Sequence, residues 1–249
     1  MSELQTATAI SGSRPYPFGV TDAPAPAGVP LLEDGDHLTR AEFERRYDAM
    51  PELKKAELIK GVVYMASPVR HRRHAKPHRR IVTWLGNYCD ATAGVDAGDN
   101  GTVRFAGESE PQPDATLFLP PELGGRARID EDDYIAGTPE LVVEVAGSTA
   151  WYDTEEKLAL YLEQGVLEYV IWRTEDNEID WFRLTDGRYV RVAPDDAGVI
   201  ESSVFPGLRL AVTALLAGDM ARVTAELQTG LNSPAHAAFV ERLKAATAT

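Results

Sequence analysis

The sequence predicts a mixed α/β fold in which helices flank a central sheet with strands in both directions. One helix, several strands, a second helix and further strands follow one another, so the strict βαβ alternation of a parallel sheet is excluded. The near-continuous apolar run LVVEV at 141–145 predicts a strand that is buried on both faces. The Ala- and Leu-rich segment 213–246 predicts helices near the end of the sequence, with a break close to Asn232-Ser-Pro234.

Two helices and four strands are predicted in the first half of the chain. Prolines interrupt any periodic pattern in residues 1–37 and predict an extended or flexible tail. The capping box Thr39-Arg-Ala-Glu42 starts a helix that ends near Met50. Pro77 suits the first turn of a second helix over 78–91, where apolar residues recur every three or four positions. Runs of β-branched and apolar residues predict strands at 57–59, 62–66, 101–106 and 114–119.

The second half of the chain is predicted to place one helix among further strands. Residues 154–164 form this helix, with Asp153 as its N-cap and Gly165 at its end. The glycine-rich segment 92–100 and the acidic segment 124–137 are predicted as loops. Strands are predicted at 140–146, 168–172, 179–184 and 189–192, the last two joined by a turn at Asp186-Gly187.

The composition is that of a globular protein. The 249 residues, 44% of them hydrophobic, are enough to bury a sizeable core. No apolar stretch approaches the roughly 20 residues that a membrane-spanning helix needs, and no secretory signal is visible. Cys89 is the only cysteine, which excludes an internal disulfide and a cysteine-rich zinc site. We therefore expect no membrane partner and a cytoplasmic location.

Positive charge is concentrated in one segment of an acidic chain. The net charge is -14, but segment 68–80 contains six cations and no acid, which leaves -20 on the rest. An acidic protein repels nucleic acid, whereas a concentrated basic segment attracts phosphate groups. The residues predicted to contact nucleic acid are Arg70, Arg72, Arg73, Lys76, Arg79 and Arg80.

Three histidines in the same segment allow three interpretations. His71, His74 and His78 have the spacing of metal ligands, but Pro77 keeps the last two from sharing one helical face. No Asp, Glu or Cys within the segment completes a zinc site. A phosphate-binding patch is therefore favoured over zinc, and a solvated charged loop is the remaining alternative.

Two acidic residues stand out against apolar neighbours. Glu144 lies inside the buried strand 140–146, where a carboxylate is costly unless it is paired, protonated or metal-bound. The alternative is a carboxylate at the strand end that faces solvent. Asp114 follows Pro113 at the start of a strand, and by itself such a residue is often only a turn former. Together, two carboxylates at the ends of neighbouring strands offer the oxygen ligands that Mg²⁺ takes.

Lys157 is predicted in the first turn of its helix, where a cation opposes the helix dipole. An i,i+4 pair with Asp153 is one explanation, and a charge directed at a nearby anionic site is the other. The sequence contains no GxxxxGK[ST] or GxGxxG nucleotide motif and no GxSxG nucleophile motif.

Short motifs follow one another in a distinctive order along the chain. They are Leu38-Thr-Arg-Ala-Glu-Phe43, Ala56-Glu-Leu-Ile-Lys-Gly61, Met65-Ala-Ser-Pro68, Pro113-Asp114, Val142-Val-Glu-Val145, the segment from Asp153 to Lys157, and Phe205-Pro-Gly-Leu-Arg-Leu210. In this order they resemble the Uma-two family of restriction endonucleases, within the PD-(D/E)XK nuclease superfamily. The resemblance implies a restriction-endonuclease-like domain over 38–216, with a helical extension over 217–249.

The resemblance also implies a metal-dependent nuclease site. Its catalytic residues are Asp114, Glu144 and Lys157, with Glu57 as an auxiliary acid. Its metal, Mg²⁺ or Mn²⁺, is bound by Asp114, Glu144 and the Val145 carbonyl.

The chain departs from the superfamily pattern at one position. In the superfamily, a lysine follows the catalytic glutamate by two residues. The position two residues after Glu144 is Ala146 in this chain, and Lys157 on the next helix is expected to take the place of the lysine.

Three functions are compatible with these residues. The first is a Mg²⁺-dependent endonuclease that hydrolyses phosphodiester bonds of DNA. The second is a non-catalytic module that retains the fold and binds nucleic acid or protein, which the net charge of -14 and Ala146 favour. The third is an enzyme that acts on another phosphoester. A homodimer through the C-terminal helices is left open.

Overall fold

The structure is a computed structural model of the chain, and it describes residues 28–147 and 151–247. A π-helical turn, His71–Ala75, leads directly into the second helix. The helices of the described residues are α1 (Arg40–Asp48), α2 (Lys76–Ala91), α3 (Trp151–Glu163), α4 (Val212–Ala217), α5 (Met220–Leu231) and α6 (Pro234–Thr247). None of them is long and apolar enough to cross a membrane.

Thirteen strands lie within the same residues. They are β1 (Ala56–Ile59), β2 (Val62–Met65), β3 (Asp96–Asp99), β4 (Val103–Arg104), β5 (Ala115–Phe118), β6 (Ala127–Ile129), β7 (Ile135–Gly137), β8 (Leu141–Ala146), β9 (Glu168–Arg173), β10 (Glu178–Thr185), β11 (Arg188–Val192), β12 (Val199–Glu201) and β13 (Arg209–Ala211).

Six strands form the central sheet in the order β11-β10-β9-β8-β5-β3. β8 and β9 run parallel, and α3 forms part of the connection between them. The other neighbouring strands are antiparallel. A parallel pair needs such a long connection because the chain must return from the C-terminal end of one strand to the level at which the next strand begins. The predicted mixed sheet and its fold class are confirmed.

Alternating side chains of β8 belong to two different cores. Val143 and Val145 pack in the core that contains the apolar face of α2, whereas Val142 and Ala146 pack in the core beneath α3. Glu144 has the same parity as Val142 and Ala146, so its side chain points to the α3 side of the sheet. The register of β8 therefore directs this carboxylate toward α3.

The core beneath α2 also holds the C-terminal helices. Trp84 and Tyr88 of α2 pack with Leu227 of α5 and Phe239 of α6, and all four are almost fully buried. The predicted helical C-terminal segment is confirmed, with a further break at Gly218, whose φ of 81° suits a helix end.

The hairpin β1–β2 and helix α1 form a smaller unit beside the sheet. The Thr39 hydroxyl accepts a hydrogen bond from the backbone N–H of Glu42, which confirms the predicted helix start. Phe43 of α1 and Leu58 of β1 share a separate apolar cluster with Leu32. This packing holds β1 in place and presents the side chain of Glu57, the one partly exposed residue of the strand, on the opposite side.

Five short strands differ from the sequence prediction. β3, β6 and β7 lie in the segments 92–100 and 124–137, for which the loop prediction is wrong; β12 and β13 lie in a region with no predicted strand. β3 has the sequence DAGD and buries none of its residues, so it carries no apolar alternation. β6 and β7 bury only Ala127 and Ile135. β3 pairs with β5 and β7 pairs with β4, whereas β6 and β7 pair with each other, as do β12 and β13. Backbone pairing, not apolar alternation, therefore specifies these strands.

Helix α3 begins at Trp151, earlier than predicted. Asp153 therefore lies inside the helix, and its prediction as the N-cap is wrong. The helix dipole favours a negative charge throughout the first turn, so an aspartate is favourable at this position and not only at the N-cap. Lys157 consequently lies in the second turn, and its predicted partner Asp153 has a side chain outside the described residues.

The predicted N-terminal tail is described only in its last part. Residues 1–27 lie outside the described residues, and residues 28–37 contain no helix. Within this part, Leu32 is buried against the α1 unit, and His37 forms a β-bridge with Val62.

Candidate functional site

A cavity of about 840 Å³ lies between the β1–β2 hairpin, the middle of the central sheet and α3. The catalytic and metal-binding residues predicted from the sequence all line it. They are Glu57 of β1, Asp114 before β5, Glu144 and Val145 of β8, and Lys157 of α3. The structure thus brings together, in one cavity, residues that are far apart in the chain.

The carboxylate of Glu144 is buried and hydrogen-bonded. Its Oε1 accepts hydrogen bonds from Lys157 Nζ at 3.0 Å and from the Tyr161 hydroxyl at 2.8 Å. Burial raises the pKa of Glu144 to about 7, and the negative charges of Asp114 and Glu57 add to this effect against the attraction of Lys157. Glu144 is therefore a buried and paired side chain, and the alternative of a carboxylate that faces solvent does not hold.

The ammonium group of Lys157 bridges two acidic side chains. Its Nζ lies 2.9 Å from Glu57 Oε1 and 3.0 Å from Glu144 Oε1, and its side chain is 10% exposed. Burial opposes the charged form of Lys157, but the two carboxylates outweigh it and raise the pKa. Lys157 is therefore a buried ammonium ion directed at an anionic site.

Glu57 is tied to the sheet as well as to Lys157. Its Oε1 accepts a hydrogen bond of 2.6 Å from the backbone N–H of Gln112, in the segment that leads into β5. The carboxylate thus connects the hairpin to the central sheet and to α3.

Asp114 has one partner on each of its two carboxylate oxygens. Its Oδ2 accepts a hydrogen bond of 2.6 Å from the backbone N–H of Val145, and its Oδ1 lies 3.1 Å from His74 Nε2. Burial opposes ionisation, but the hydrogen bond from His74 and the Val145 N–H outweigh it and hold the pKa of Asp114 below its usual value. Asp114 is therefore an ionised carboxylate with a fixed orientation, not a turn former alone.

His74 and Tyr161 were not predicted as site residues. Tyr161 donates to Glu144 from one helical turn beyond Lys157, a spacing that the sequence of α3 does show. The spacing of the three histidines is a local signal for His74, but it does not indicate the partners Asp114 and Val145, which come from distant strands. His74 and His78 stack with ring centroids 5.6 Å apart, so the two side chains do approach one another across Pro77.

The residues predicted to contact nucleic acid differ in where their side chains lie. Arg70 and Arg73 line the cavity, and Arg73 also pairs with Glu175. Arg80 instead points toward the C-terminal end of α4, where it donates to the Leu215 carbonyl oxygen. The basic residues that are exposed are Arg70, Arg72, Arg73, Lys76 and Arg79.

The donor groups of the cavity suit a divalent cation that keeps much of its water. Asp114 and Glu144 supply carboxylate oxygens, and the Oε2 atom of Glu144 has no hydrogen bond among the described residues. Within the described part of the chain, no three His, Cys, Asp or Glu side chains form a ready-made metal cluster. Mg²⁺ usually binds through one or two carboxylates, with water and substrate phosphates as its other ligands, so these residues fit it.

The buried ion pairs of Lys157 lead to a stability prediction. We expect Lys157→Met to lower the free energy of unfolding by about 3 kcal/mol near neutral pH, because it leaves two carboxylates without their cation. Urea unfolding measures this change.

A matched control is available at an exposed ion pair. Lys60 binds Glu163 at 2.8 Å, and both side chains are about half exposed or more. Lys60→Met should cost less than about 1 kcal/mol. Equal losses in the two variants would show that the Lys157 bridge contributes no more than a surface pair.

The raised pKa of Glu144 predicts a pH effect on stability. Below the unfolded pKa, which is close to 4.5, Glu144 is protonated in both states; as the pH rises to about 7, only the unfolded state releases the proton. The free energy of unfolding should therefore fall over this range, by about 2–3 kcal/mol. We expect Glu144→Gln to lack this decrease when urea unfolding is measured in EDTA between about pH 5 and about pH 8. Parallel pH profiles for the two proteins would contradict the assignment.

Comparison with known proteins agrees with this fold. A family model named Uma2, described as "Putative restriction endonuclease", matches residues 40–213, which is more than half of the chain. The crystal structure of "a putative nuclease belonging to DUF820" from Anabaena variabilis is similar in fold, with a TM-score of 0.56 and 14% sequence identity. The similarity covers 72% of this chain and 98% of that chain. No curated protein matches the chain. The family match, which includes Glu57, Asp114, Glu144 and Lys157, shows that the chain belongs to the Uma2 family.

Proposed function

We propose that the protein is a metal-dependent endonuclease that hydrolyses phosphodiester bonds of DNA in the described cavity. The observation that carries the proposal is the buried ammonium group of Lys157 between Glu57 and Glu144, next to the ionised Asp114. Burying such a charged cluster is costly, and perturbed ionisable groups in a cavity mark functional sites. The Uma2 family match supports nuclease chemistry.

Asp114 and Glu144 would hold a Mg²⁺ or Mn²⁺ ion, as the sequence resemblance implies. When bound, the metal polarises the scissile phosphate and makes its bound water a better nucleophile. Lys157 contributes a fixed positive charge beside Glu144, where it can stabilise the negative charge that develops on the phosphate. Tyr161 orients Glu144 through its hydroxyl, and Glu57 keeps Lys157 in position.

The exposed basic residues next to the cavity are proposed to bind the DNA backbone. Arg70 and Arg73 lie at the cavity itself, and Arg72, Lys76 and Arg79 extend the positive surface along the π-helical turn and the start of α2. Contacts to phosphates position a duplex without reading its sequence. Arg80 is left out of this surface because it binds the Leu215 carbonyl.

A second candidate function is a module that binds nucleic acid without cleaving it. It is favoured by Ala146, which stands where the superfamily has its lysine and which packs in the core beneath α3. The proposed nuclease and this alternative differ in cleavage but share the basic surface. A cytoplasmic location and a homodimer stay predictions from the sequence.

The nuclease proposal predicts metal-dependent cleavage of plasmid DNA that EDTA stops. We expect Glu144→Gln to abolish cleavage, because it removes a proposed metal ligand. Lys157→Met should slow cleavage by about 100-fold or more, because it removes a positive charge beside the scissile phosphate. Gel electrophoresis of plasmid incubated with Mg²⁺ or Mn²⁺ measures the rate.

Glu163→Gln serves as the matched control, since Glu163 lies on the same helix but is 63% exposed and outside the cavity. It should cleave at the wild-type rate. Retained DNA binding without cleavage by the wild type, in either metal, would favour the non-catalytic module.

The basic surface predicts a salt-dependent affinity. Replacing Arg72, Lys76 and Arg79 with Ala should weaken binding to all duplex sequences alike and reduce the slope of log K against log salt by about 0.9 per lost phosphate contact. Fluorescence anisotropy with labelled duplexes in EDTA measures both changes. The control replaces three exposed arginines elsewhere, Arg128, Arg188 and Arg242, and so changes the net charge equally. The same slope in both triple variants would rule out a localised binding surface.

A further inference from the structure

His74 occupies a central position among the proposed metal ligands. Its Nδ1 donates a hydrogen bond of 2.9 Å to the Val145 carbonyl oxygen, and its Nε2 lies 3.1 Å from Asp114 Oδ1. The residue belongs to the π-helical turn before α2, and its side chain is 28% exposed at the edge of the cavity. Neither the family match nor the sequence motifs assign it a role.

The distance between His74 and Asp114 is that of two adjacent metal ligands. Divalent cations bind imidazole nitrogen and carboxylate oxygen at about 2.1 Å, so two such ligands at right angles lie about 3.0 Å apart. The observed separation of 3.1 Å between Nε2 and Oδ1 agrees with this value. A cation bound to both atoms would replace the proton on Nε2 and lie to one side of the line that joins Nε2 and Oδ1, so the imidazole ring must turn to direct its lone pair at the metal.

The backbone of Val145 orients both side chains. Its carbonyl oxygen accepts from His74 Nδ1, and its N–H donates to Asp114 Oδ2 at 2.6 Å. Metal-binding histidines commonly donate their second ring N–H to a carbonyl oxygen, which fixes the ring and leaves the other nitrogen for the metal. In this arrangement the Val145 carbonyl is already used by His74. This hydrogen bond uses one of the two lone pairs of the carbonyl oxygen, so the role of Val145 as a metal ligand stays a prediction of the sequence resemblance.

We propose that His74 is a metal ligand, and that a divalent cation binds between His74 Nε2 and Asp114 Oδ1. The inference refines the proposed function and rests on it for its biological meaning. An imidazole ligand suits Mn²⁺ and other transition metals better than Mg²⁺, which prefers oxygen. His74 is therefore the residue that makes this site select Mn²⁺ over Mg²⁺.

The test uses Mn²⁺ as a probe on the full chain without nucleic acid. Electron paramagnetic resonance of free Mn²⁺ gives the affinity, and the ¹⁴N modulation of the electron spin echo reports a nitrogen atom bound to Mn²⁺. The wild type should show this modulation. His74→Ala should lose it and bind Mn²⁺ about 10–100-fold more weakly, with a smaller change in Mg²⁺ affinity measured by competition.

His78→Ala is the matched control. His78 stacks on His74 and contacts the Asp114 backbone carbonyl at 3.0 Å, but not the Asp114 carboxylate. It should retain the nitrogen modulation. His74→Gln provides a second variant that keeps a polar side chain, and melting curves establish that every variant is folded.

The inference is overturned if Mn²⁺ on the wild type shows no nitrogen modulation, if the modulation survives in His74→Ala, or if Mn²⁺ does not bind. These outcomes are separate from those of the cleavage assay. A protein that binds Mn²⁺ through His74 but cleaves no DNA retains the metal site and loses the nuclease proposal. A protein that cleaves DNA with metal but shows no nitrogen ligand retains the nuclease proposal and loses the role of His74.

Discussion

The bridge formed by Lys157 between Glu57 and Glu144 is the interaction on which the rest of the site depends. It joins three elements: the β1–β2 hairpin, the central strand β8 and helix α3. The same three elements also share one apolar core, to which they contribute Ile59, Val142 and Leu160. None of the three charges is tolerable alone at this burial, because an unpaired ion in the interior is strongly destabilising. The requirement to pair them fixes how the hairpin and α3 sit on the sheet, and the cavity is the space that remains between them.

The balance of charge in the cavity explains why it suits a cation. At its centre, three carboxylates, Glu57, Asp114 and Glu144, are in direct contact with one buried ammonium group and one imidazole ring. Burial raises the pKa of Glu144, whereas the hydrogen bonds that Asp114 accepts from His74 and the Val145 N–H outweigh burial and lower the pKa of Asp114. A divalent cation would complete the compensation at this point, and the exposed arginines beside it would bring an anionic substrate to an otherwise acidic protein.

The backbone of Val145 shows how a sheet position can organise a site without a side chain in it. The Val145 side chain lies in the core beneath α2, while its N–H and carbonyl hold Asp114 and His74 on the cavity side. The neighbouring Glu144 side chain points to the α3 side, as strand alternation requires. One short stretch of β8 thus fixes three polar side chains, which gives the site a rigidity that loops alone would not provide.

Local sequence patterns by themselves predicted the helices and the buried strand β8. They also showed that Glu144 places a carboxylate among the apolar residues of this strand. The capping box at Thr39, the apolar spacing of α2 and the run at 141–145 depend only on neighbouring residues, so they can be predicted from the sequence. The motif order further indicated Asp114, Glu57 and Lys157.

The tertiary structure alone decided which charges meet. Lys157 binds a glutamate 100 residues earlier, and His74 binds a carbonyl 71 residues later. It also placed the strand β3 at the sheet edge and turned Arg80 away from the basic surface. Local patterns encode which face of an element is buried. Contacts between distant residues depend on strand order and register, which are set by the packing of the whole domain, and no short segment of sequence specifies them.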